Sequence, residues 1–283
     1  MIGCRVVLQP GSTSTLLDAL CARYPALPRD VWVERFGAGH VCDASGASIR
    51  ADEPFRSARE IHYYRVFSEE HIPVVESVVH ADARLLVADK PHFLPVIPAG
   101  KYRAQTLVAR LIGRTGNPDL SPLHRIDRNT AGLVLFSTDK STRATYQALF
   151  RERRITKRYE ALAGPLPELE FPLLRATRLQ RHADGFRMEE VAGEPNTLTR
   201  IEVIDRKGPW WRYALYPHSG KMHQLRVHMA AMGAPIANDL WYPCAASAAA
   251  DDYERPLKLL AHSLDFIDPV DGTPRSFSTR LHL

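Results

Sequence analysis

Residues 123–136 read LHRIDRNTAGLVLF, a cluster of charged side chains that runs directly into an apolar strand. Charged side chains are rarely buried without a partner, because taking an unpaired charge out of water costs several kcal/mol. Either Asp127 lies in a cleft at the mouth of a sheet, where it performs chemistry, or the cluster is a surface ion pair that precedes an ordinary strand. The local pattern does not choose between these interpretations, so the rest of the chain must decide.

The first 75 residues predict a small, separate module. Apolar residues recur at helical spacing over 12–24 and 29–36, and a strand-turn-strand follows at 41–49. A further strand is predicted at 61–66, and residues 69–73 form the linker. Two helices and a few short strands are enough for an independently folded unit.

The remaining residues, 76–283, predict a larger domain that mixes strands and helices. Strands are expected at 85–88, 133–137, 156–163, 198–204, 211–216, 257–266 and 277–281, and helices at 106–112, 140–153 and 222–232. The stretch 166–194 predicts no clear element, and 245–252, rich in alanine and acid, is typical of an exposed insertion. Because neighbouring strands follow one another as hairpins rather than in regular βαβ units, the predicted fold class is α+β.

The chain is mildly basic, and its basic residues are unevenly distributed. With 37 lysines and arginines against 32 acids, the net charge is +5 and the pI about 9.1, which permits a polyanionic partner without requiring one. Residues 143–158 are dense in arginine and lysine and contain Glu152 as their only acid. They are most simply a solvated face, and they form a phosphate-binding track only if they border the cleft.

Several classes of protein find no support in the composition. No apolar run approaches the ~20 residues of a membrane-spanning helix, and the amino terminus has no signal-peptide pattern. The four cysteines are scattered without a C-x-x-C pair, so they predict neither a disulfide framework nor a zinc site. We therefore expect a cytoplasmic protein that does not bind membranes.

A second cluster, KMHQLRVH at 221–228, lies in the last predicted helix. The apolar stripe of this helix is formed by Leu225, Met229 and Met232. Arg226 projects about 100° from Leu225, at the border of the buried face, and from there it can reach a carboxylate such as Asp127. The alternative is an ordinary solvated helix face. The spacing of His218, His223 and His228 does not place them on one helical face, so no metal site is predicted.

Tyr159 lies in the strand predicted after the basic stretch. A strand tyrosine is more often part of a core than catalytic, and for this residue by itself both interpretations stay open. The chain has no P-loop, no G-x-G-x-x-G and no G-x-S-x-G motif, so neither a nucleotide cofactor nor a serine hydrolase is indicated. No cofactor is expected.

Taken in order, these pieces resemble the RluA-type pseudouridine synthases. HRIDRNTAGL at 124–133 is similar to that family's H-R-L-D-x-x-T-S-G-L motif, and KRYEA at 157–161 is similar to its K-x-Y-x-A. SGKMHQLRVH at 219–228 resembles T-G-R-x-H-Q-I-R-x-H, with serine and lysine in place of threonine and arginine. Three shorter motifs of the family resemble DKP at 89–91, PIAND at 235–239 and LAHSL at 260–264.

The resemblance implies a pseudouridine synthase-like catalytic domain over 76–283, with a central, mainly antiparallel mixed sheet flanked by helices. Residues 1–75 resemble the small alpha-L RNA-binding module often fused to such enzymes. The implied reaction isomerises uridine within RNA: the N1–C1′ bond breaks, the uracil turns, and C5 bonds to C1′. It contains no redox or phosphoryl-transfer step, which agrees with the absence of cofactor motifs.

The resemblance also implies roles for individual residues. Asp127 is the catalytic carboxylate, which either attacks C1′ or removes the C2′ proton; the sequence does not choose between these routes. Arg226 would pair with it and favour its charged form, and Tyr159 would pack against the base and remove the C5 proton. Arg125 would contact phosphate or fill the gap left by a flipped nucleotide. The residues expected to bind substrate are His124, Arg125, Lys221 and His223.

The expected partner is an RNA stem-loop, because flipping a uridine out of its stack costs less in a loop. Ribosomal RNA is the expected target and transfer RNA the alternative, and the protein is expected to be a monomer. Two other classes stay open. A glycoside hydrolase would need a second carboxylic acid near Asp127, for which Asp89 or Asp239 is available, and a non-catalytic RNA-binding protein would bind RNA without turnover.

Overall fold

The computed structural model describes residues 2–9, 13–55, 58–65, 69–243 and 251–283. The chain divides into two compact units, Met1–Ser68 and Glu69–Leu283. The sequence places this boundary later, at 75/76. The difference arises because the connecting segment packs in the second unit: Ile72 is buried, and Arg110 donates to the backbone oxygens of Ile72 and Val74.

The first unit is a three-stranded antiparallel sheet with two helices. Its elements are β1 (Ile2–Leu8), α1 (Leu16–Arg23), α2 (Arg29–Gly37), β2 (Val41–Asp43) and β3 (Arg59–Arg65), and β3 is the central strand. Both predicted helices are present, as is the strand predicted at 61–66, of which Val66 lies outside the described residues. The sequence does not predict β1, because its apolar run is short and its partner strand lies far along the chain.

The second unit is built on one large sheet. Its elements are β4 (Ser77–Ala81), β5 (Leu85–Lys90), α3 (Leu107–Thr115), β6 (Ser121–Pro122), β7 (Ala131–Ser137), α4 (Arg143–Arg151), β8 (Ile155–Ala163), β9 (Leu173–Arg181), β10 (Met188–Val191), β11 (Thr197–Asp205), β12 (Trp211–Pro217), α5 (Gln224–Ala231), β13 (Leu259–Ile267) and β14 (Pro274–Ser278). The strands lie in the order β10-β9-β11-β12-β8-β13-β7-β5-β4, with β14 beside β13 and β6 beside β7.

The strand pairings confirm the predicted fold class. Among the described strands of this sheet, β7 and β13 pair in parallel, and the other pairs are antiparallel. The predicted neighbours at 198–204 and 211–216 are the antiparallel pair β11 and β12. The α+β class, with a mainly antiparallel mixed sheet flanked by helices, is therefore confirmed.

The centre of the sheet is covered on both faces, which explains the apolar runs 85–88 of β5 and 131–136 of β7. Every residue of β5 and β7 is buried. Val134 packs in a cluster with Leu111 of α3, whereas its neighbour Leu135 packs in a different cluster with Leu149 of α4. Because successive strand residues face opposite sides, a strand covered on both faces needs apolar residues at each position.

The other half of the sheet is covered by α5. Ala161 of β8, Leu215 of β12 and Leu225 of α5 belong to one buried cluster, and Tyr159 packs against its margin. The start of α5 therefore lies near the strand that contains Tyr159.

Two stretches have no helix or strand predicted from the sequence: 166–194, which is left unassigned, and 245–252, which is predicted to be an exposed insertion. Part of 166–194 forms the antiparallel pair β9 and β10, which the sequence does not predict because most of β9 is exposed or half-exposed. Of the predicted insertion at 245–252, only Asp251 and Asp252 lie within the described residues. None of the described helices is long and apolar enough to cross a membrane.

Candidate active site

The loop that contains Asp127 is held by two side chains at the end of β5. Lys90 is fully buried, and its ammonium donates to the backbone oxygen of Arg128 at 3.0 Å. Burial lowers the pKa of Lys90 well below its usual value, and the negative charge of Asp127 opposes this shift. His92 donates through Nδ1 to the backbone oxygen of Asn129 at 2.6 Å. The backbone immediately after Asp127 is therefore fixed.

The strand that follows this loop depends on Gly132. Its φ of +109° is a backbone angle that residues with a side chain rarely adopt. A Cβ here would lie 2.2 Å from the backbone oxygen of Ala261. Only glycine allows β7 to approach β13 so closely. The close approach fixes the point at which the loop of Asp127 enters the sheet.

The opposite side of the site is the start of α5. His223 has a left-handed backbone, with φ +54°, immediately before the helix. The Gln224 oxygen accepts hydrogen bonds from the Ser219 hydroxyl at 2.8 Å and the Lys221 N–H at 3.2 Å, and its amide donates to the Thr199 hydroxyl at 2.9 Å. Strained backbone persists where surrounding contacts hold it, so the bonds of Gln224 stabilise the turn that places α5 in the site.

Arg226 is buried between two carboxylates. Its Nε and Nη2 donate to the two oxygens of Asp239 at 2.7 and 2.6 Å, and its Nη1 lies 3.6 Å from Oδ2 of Asp127. The rings of Trp241 and Tyr242 lie 5.1 and 5.2 Å from the guanidinium carbon. Burial would lower the pKa of Arg226, but its bonds to Asp239 and the charge of Asp127 raise it. Arg226 is therefore a charged group of fixed orientation beside Asp127.

The sequence does not identify Asp239 as the principal partner of Arg226. Oδ1 of Asp239 also accepts hydrogen bonds from the backbone N–H groups of Trp241 and Tyr242 at 2.9 and 3.2 Å. The side chain of Asp239 is only 1% exposed, so this cluster is a buried support for the guanidinium. The available signal was the position of Asp239 within PIAND, which resembles a family motif.

Tyr159 reaches the same pocket from β8. The pocket has a volume of about 90 Å³, and its lining includes Asp127, Tyr159, His223 and Arg226. Burial, together with the negative charge of Asp127, raises the pKa of Tyr159, so the side chain is a neutral phenol at pH 7. The structure thus brings together the three residues for which the sequence predicts catalytic roles.

A larger cleft, of about 990 Å³, shares several residues with this pocket. Its basic lining includes Arg125, Arg151, Arg153, Lys157 and Lys221, and its apolar lining includes Pro95, Val96, Ile97 and Met222. Part of the basic stretch 143–158 therefore borders the cleft, which is the condition under which the sequence predicts a phosphate-binding track. Arg158 is directed elsewhere and pairs with the buried Glu160 at 2.6 Å.

Lys157 lines both the pocket and the cleft, although the sequence does not predict a role for it. Its ammonium donates to the backbone oxygen of Ser219 at 3.1 Å. Burial, together with the charge of Arg153, lowers the pKa of Lys157 to about 8. A cation that loses its charge just above neutral pH therefore lies where the pocket and the cleft meet.

The four residues predicted to bind substrate line the pocket or the cleft. Arg125 and Lys221 are exposed and line the cleft. His223 lines the pocket, with its Nε2 3.9 Å from Oδ2 of Asp127. All three can contact a molecule that enters the site.

His124 is engaged by the protein itself. Its ring stacks on Phe150 with 4.6 Å between centroids, and its Nε2 accepts the backbone N–H of Leu135 at 3.1 Å. Burial, together with Lys157, lowers the pKa of His124 to about 3. The ring is neutral and connects the loop of Asp127 to β7, and its side chain also lines the cleft.

The histidines at 218, 223 and 228 do not form a metal site. His228 is fully buried, with Nε2 3.0 Å from the hydroxyl of Thr177 and Nδ1 3.0 Å from that of Thr199. Within the described ranges, no group of three or more histidine, cysteine, aspartate or glutamate side chains is arranged to hold a metal ion.

Comparison with known proteins relates this site to RNA modification. A sequence model of the family described as RNA pseudouridylate synthase matches residues 84–231. An uncharacterized RNA pseudouridine synthase of Synechocystis is 29% identical over 80% of this chain and 79% of its own. The dual-specificity RNA pseudouridine synthase RluA of Pasteurella multocida is 31% identical over 71% of this chain and 91% of its own. The structure of human RNA pseudouridylate synthase domain containing 1 aligns with a TM-score of 0.60 at 25% identity, covering 75% of this chain and 86% of that one.

Proposed function

The chain belongs to the RNA pseudouridine synthase family, and from this premise we propose that Asp127 is the carboxylate with which it isomerises uridine in structured RNA. The observation that supports this assignment is the convergence of Asp127, Tyr159 and Arg226 on one pocket. The reaction needs one carboxylate, a group to keep it oriented, and a group to move a proton at C5, and these residues supply the three.

Asp127 acts by attacking C1′ or by removing the C2′ proton. Both routes begin from an ionised carboxylate, and a fixed cation nearby keeps that carboxylate oriented. Arg226 is suited to this role because its two bonds to Asp239 hold the guanidinium in place while Nη1 faces Asp127. The guanidinium stays charged throughout the reaction.

We assign removal of the C5 proton to Tyr159. Because its phenol is neutral at pH 7, it accepts that proton only as its own hydroxyl proton passes to another group. Asp127 is suited to receive it, since its negative charge is close enough to raise the pKa of Tyr159. The bond between C5 and C1′ is already formed at this stage, and the product is complete once C5 has lost its proton and N1 has gained one.

Replacing Tyr159 with phenylalanine should therefore stall the reaction after the glycosidic bond has broken. We expect pseudouridine formation to fall by about 10²- to 10⁴-fold, the usual contribution of a positioned acid or base. Nucleoside analysis of digested RNA would show uridine consumed without an equal yield of pseudouridine. Tyr213→Phe is the matched control, because its hydroxyl donates to the backbone of Gly164, away from the pocket. Normal product yield from Tyr159→Phe would contradict the assignment.

The cations of the cleft are proposed to bind the RNA backbone. Arg125 and Lys221 are exposed there, and Arg125 is placed beside Asp127 to contact a phosphate or to fill the gap of the flipped uridine. We propose a smaller contribution from the first unit, because its exposed Arg5, Arg29 and Arg50 each pair with a carboxylate.

Lys157 gives RNA binding a distinctive pH dependence. Its ammonium is charged below about pH 8 in the free protein and favours a phosphate partner, so affinity should fall as pH rises through 8. Between pH 7 and 9 we expect Kd to rise about tenfold, as one linked proton requires. Lys157→Arg should remove this rise because a guanidinium stays charged. Fluorescence anisotropy at constant ionic strength measures both proteins, and equal pH slopes would count against the role.

A glycoside hydrolase finds little support in the site. Asp239 accepts hydrogen bonds on both oxygens from Arg226, and Asp89 accepts on both from Thr279 and the backbone of Arg280. Neither carboxylate is free to donate a proton as a general acid. A binding protein with a decayed site is also disfavoured, because Asp127 retains its charged and aromatic partners.

We propose ribosomal RNA as the target, with transfer RNA as the alternative. Mapping pseudouridines in both RNA pools from a deletion strain and its parent tests the proposal. Loss of one or a few sites in ribosomal RNA is the expected result. Loss confined to transfer RNA would support the alternative, and unchanged maps in both pools would contradict the assigned activity.

A further inference from the structure

His223 is held between Tyr242 and the loop that contains Asp127. Only 8% of the residue is exposed, and its ring packs edge-on against Trp241 and Tyr242 with centroids 5.0 and 5.7 Å apart. Its Nδ1 lies 2.9 Å from the hydroxyl of Tyr242, and its Nε2 lies 3.9 Å from Oδ2 of Asp127. The two nitrogens therefore face different partners. The position of the ring proton decides whether an N–H group or a nitrogen lone pair faces Asp127.

The hydrogen bonds of Tyr242 determine that position. Its hydroxyl accepts the backbone N–H of Met188 at 2.8 Å and has one proton of its own to donate. Among the described residues, Nδ1 of His223 is the acceptor within hydrogen-bond distance of this hydroxyl. A buried hydroxyl without an acceptor would lose about 1–3 kcal/mol. Donation to Nδ1 avoids this loss and requires that Nδ1 has no hydrogen, so the ring proton lies on Nε2.

The charges around His223 favour a neutral ring. Burial lowers its pKa, the charge of Asp127 opposes this shift, Arg226 adds to it, and Asp239 opposes it, with a net decrease. Asp127 lies in the loop before β7, Arg226 lies in α5, and Asp239 lies in the segment after α5. A neutral ring has one N–H to place, so its tautomer has a functional consequence.

We propose that Tyr242 is a positioning residue that holds His223 as the Nε2–H tautomer, with this N–H directed at Asp127 and the substrate pocket. The inference rests on the proposed role of Asp127. The opposite tautomer would present a nitrogen lone pair to the carboxylate and repel it. At 3.9 Å the Nε2 nitrogen and the carboxylate are too far apart for a direct hydrogen bond, so a ribose hydroxyl or uracil oxygen that enters the pocket beside them would accept from His223.

This arrangement also gives a role to β10. Met188, which orients the Tyr242 hydroxyl, begins that strand and packs against a small cluster containing Leu179, Val227 and Tyr242. A pair of strands that the sequence leaves unassigned thus supports the tautomer of a residue in the pocket.

The tautomer can be read directly by NMR. Two-bond ¹H–¹⁵N spectra of the full chain labelled at histidine distinguish Nε2–H from Nδ1–H, and His223→Gln identifies the relevant signals. In the unmodified protein we expect the Nε2–H pattern for His223, and an Nδ1–H pattern would overturn the proposal. In Tyr242→Phe we expect a mixture of tautomers, because the donor to Nδ1 is gone. Tyr213→Phe, which removes a different buried hydroxyl, should leave the His223 signals unchanged.

Activity measurements distinguish positioning from a general loss of structure. For Tyr242→Phe we expect kcat to fall about tenfold with KM within about twofold, the effect of one lost hydrogen bond to a group used in turnover. Wild-type kcat, or an unchanged tautomer in this variant, would overturn the proposal. The NMR result does not depend on RNA, so failure of the catalytic role of Asp127 would be seen separately, as turnover by Asp127→Asn.

Discussion

Replacing Asp127 with asparagine is expected to reduce pseudouridine formation by about 10⁴-fold or more, because the amide can neither attack C1′ nor remove the C2′ proton. The fold should survive, since Asp127 is a partly exposed group whose nearest cation, Nη1 of Arg226, is 3.6 Å away. We expect the free energy of unfolding to change by less than about 1 kcal/mol. Single-turnover assays on a stem-loop RNA and chemical denaturation measure the two effects.

A matched control separates loss of chemistry from loss of charge. Asp119→Asn removes one carboxylate from an exposed loop of the same unit. Both variants should bind RNA at least as tightly as the parent protein, because each removes a charge that repels phosphate. Only Asp127→Asn should lose turnover, and substantial residual activity in that variant would exclude Asp127 as the catalytic carboxylate.

Arg226→Ala should lose both activity and stability. The substitution leaves the buried carboxylate of Asp239 and the partly exposed one of Asp127 without their shared cation. Breaking a buried pair on one side costs about 3–5 kcal/mol of unfolding free energy, and losing a fixed charge beside the reacting group costs about 10³-fold in kcat. Arg226→Lys keeps the charge but loses the two parallel bonds to Asp239, so it should restore only part of either quantity.

The two effects of Arg226 can be separated in an Asp239→Asn background. There Arg226→Ala should cost less stability than in the parent protein, because the buried negative charge is already absent. Turnover should still be low, since Asp127 again lacks its cation. Equal stability losses in both backgrounds, or near-normal turnover of Arg226→Ala, would contradict the shared-cation arrangement.

Some side chains of the candidate site lie where the motifs predict them, and others do not. The resemblance of HRIDRNTAGL, KRYEA and SGKMHQLRVH to family motifs selected Asp127, Tyr159 and Arg226, and the structure places all three at one pocket. Their roles remain predictions until the variants are tested. His124 belongs to the same motif, yet its ring is occupied by Leu135 and Phe150, because a motif does not show which way a side chain points.

The fold was predictable where the apolar period is strong. β5 and β7 begin with the apolar runs 85–88 and 131–136, and α3 and α4 follow helical spacing, so these elements appear where the sequence places them. β1 and the pair β9–β10 were not predictable. Their apolar runs are short or largely exposed, and they are stabilised by pairing with strands elsewhere in the chain.

The sequence by itself determined the family and the fold class, because these depend on the motifs that the chain shares with the family and on the periods of helix and strand. It also selected Asp127 as the carboxylate proposed to be catalytic. Only the tertiary structure decided that Asp239 is the closer partner of Arg226, that Lys90 and His92 hold the loop of Asp127, and that Tyr242 reaches His223. Each of these contacts depends on a hydrogen-bond distance or direction that residue spacing does not specify. Such geometry exists only after the strands and α5 have packed together.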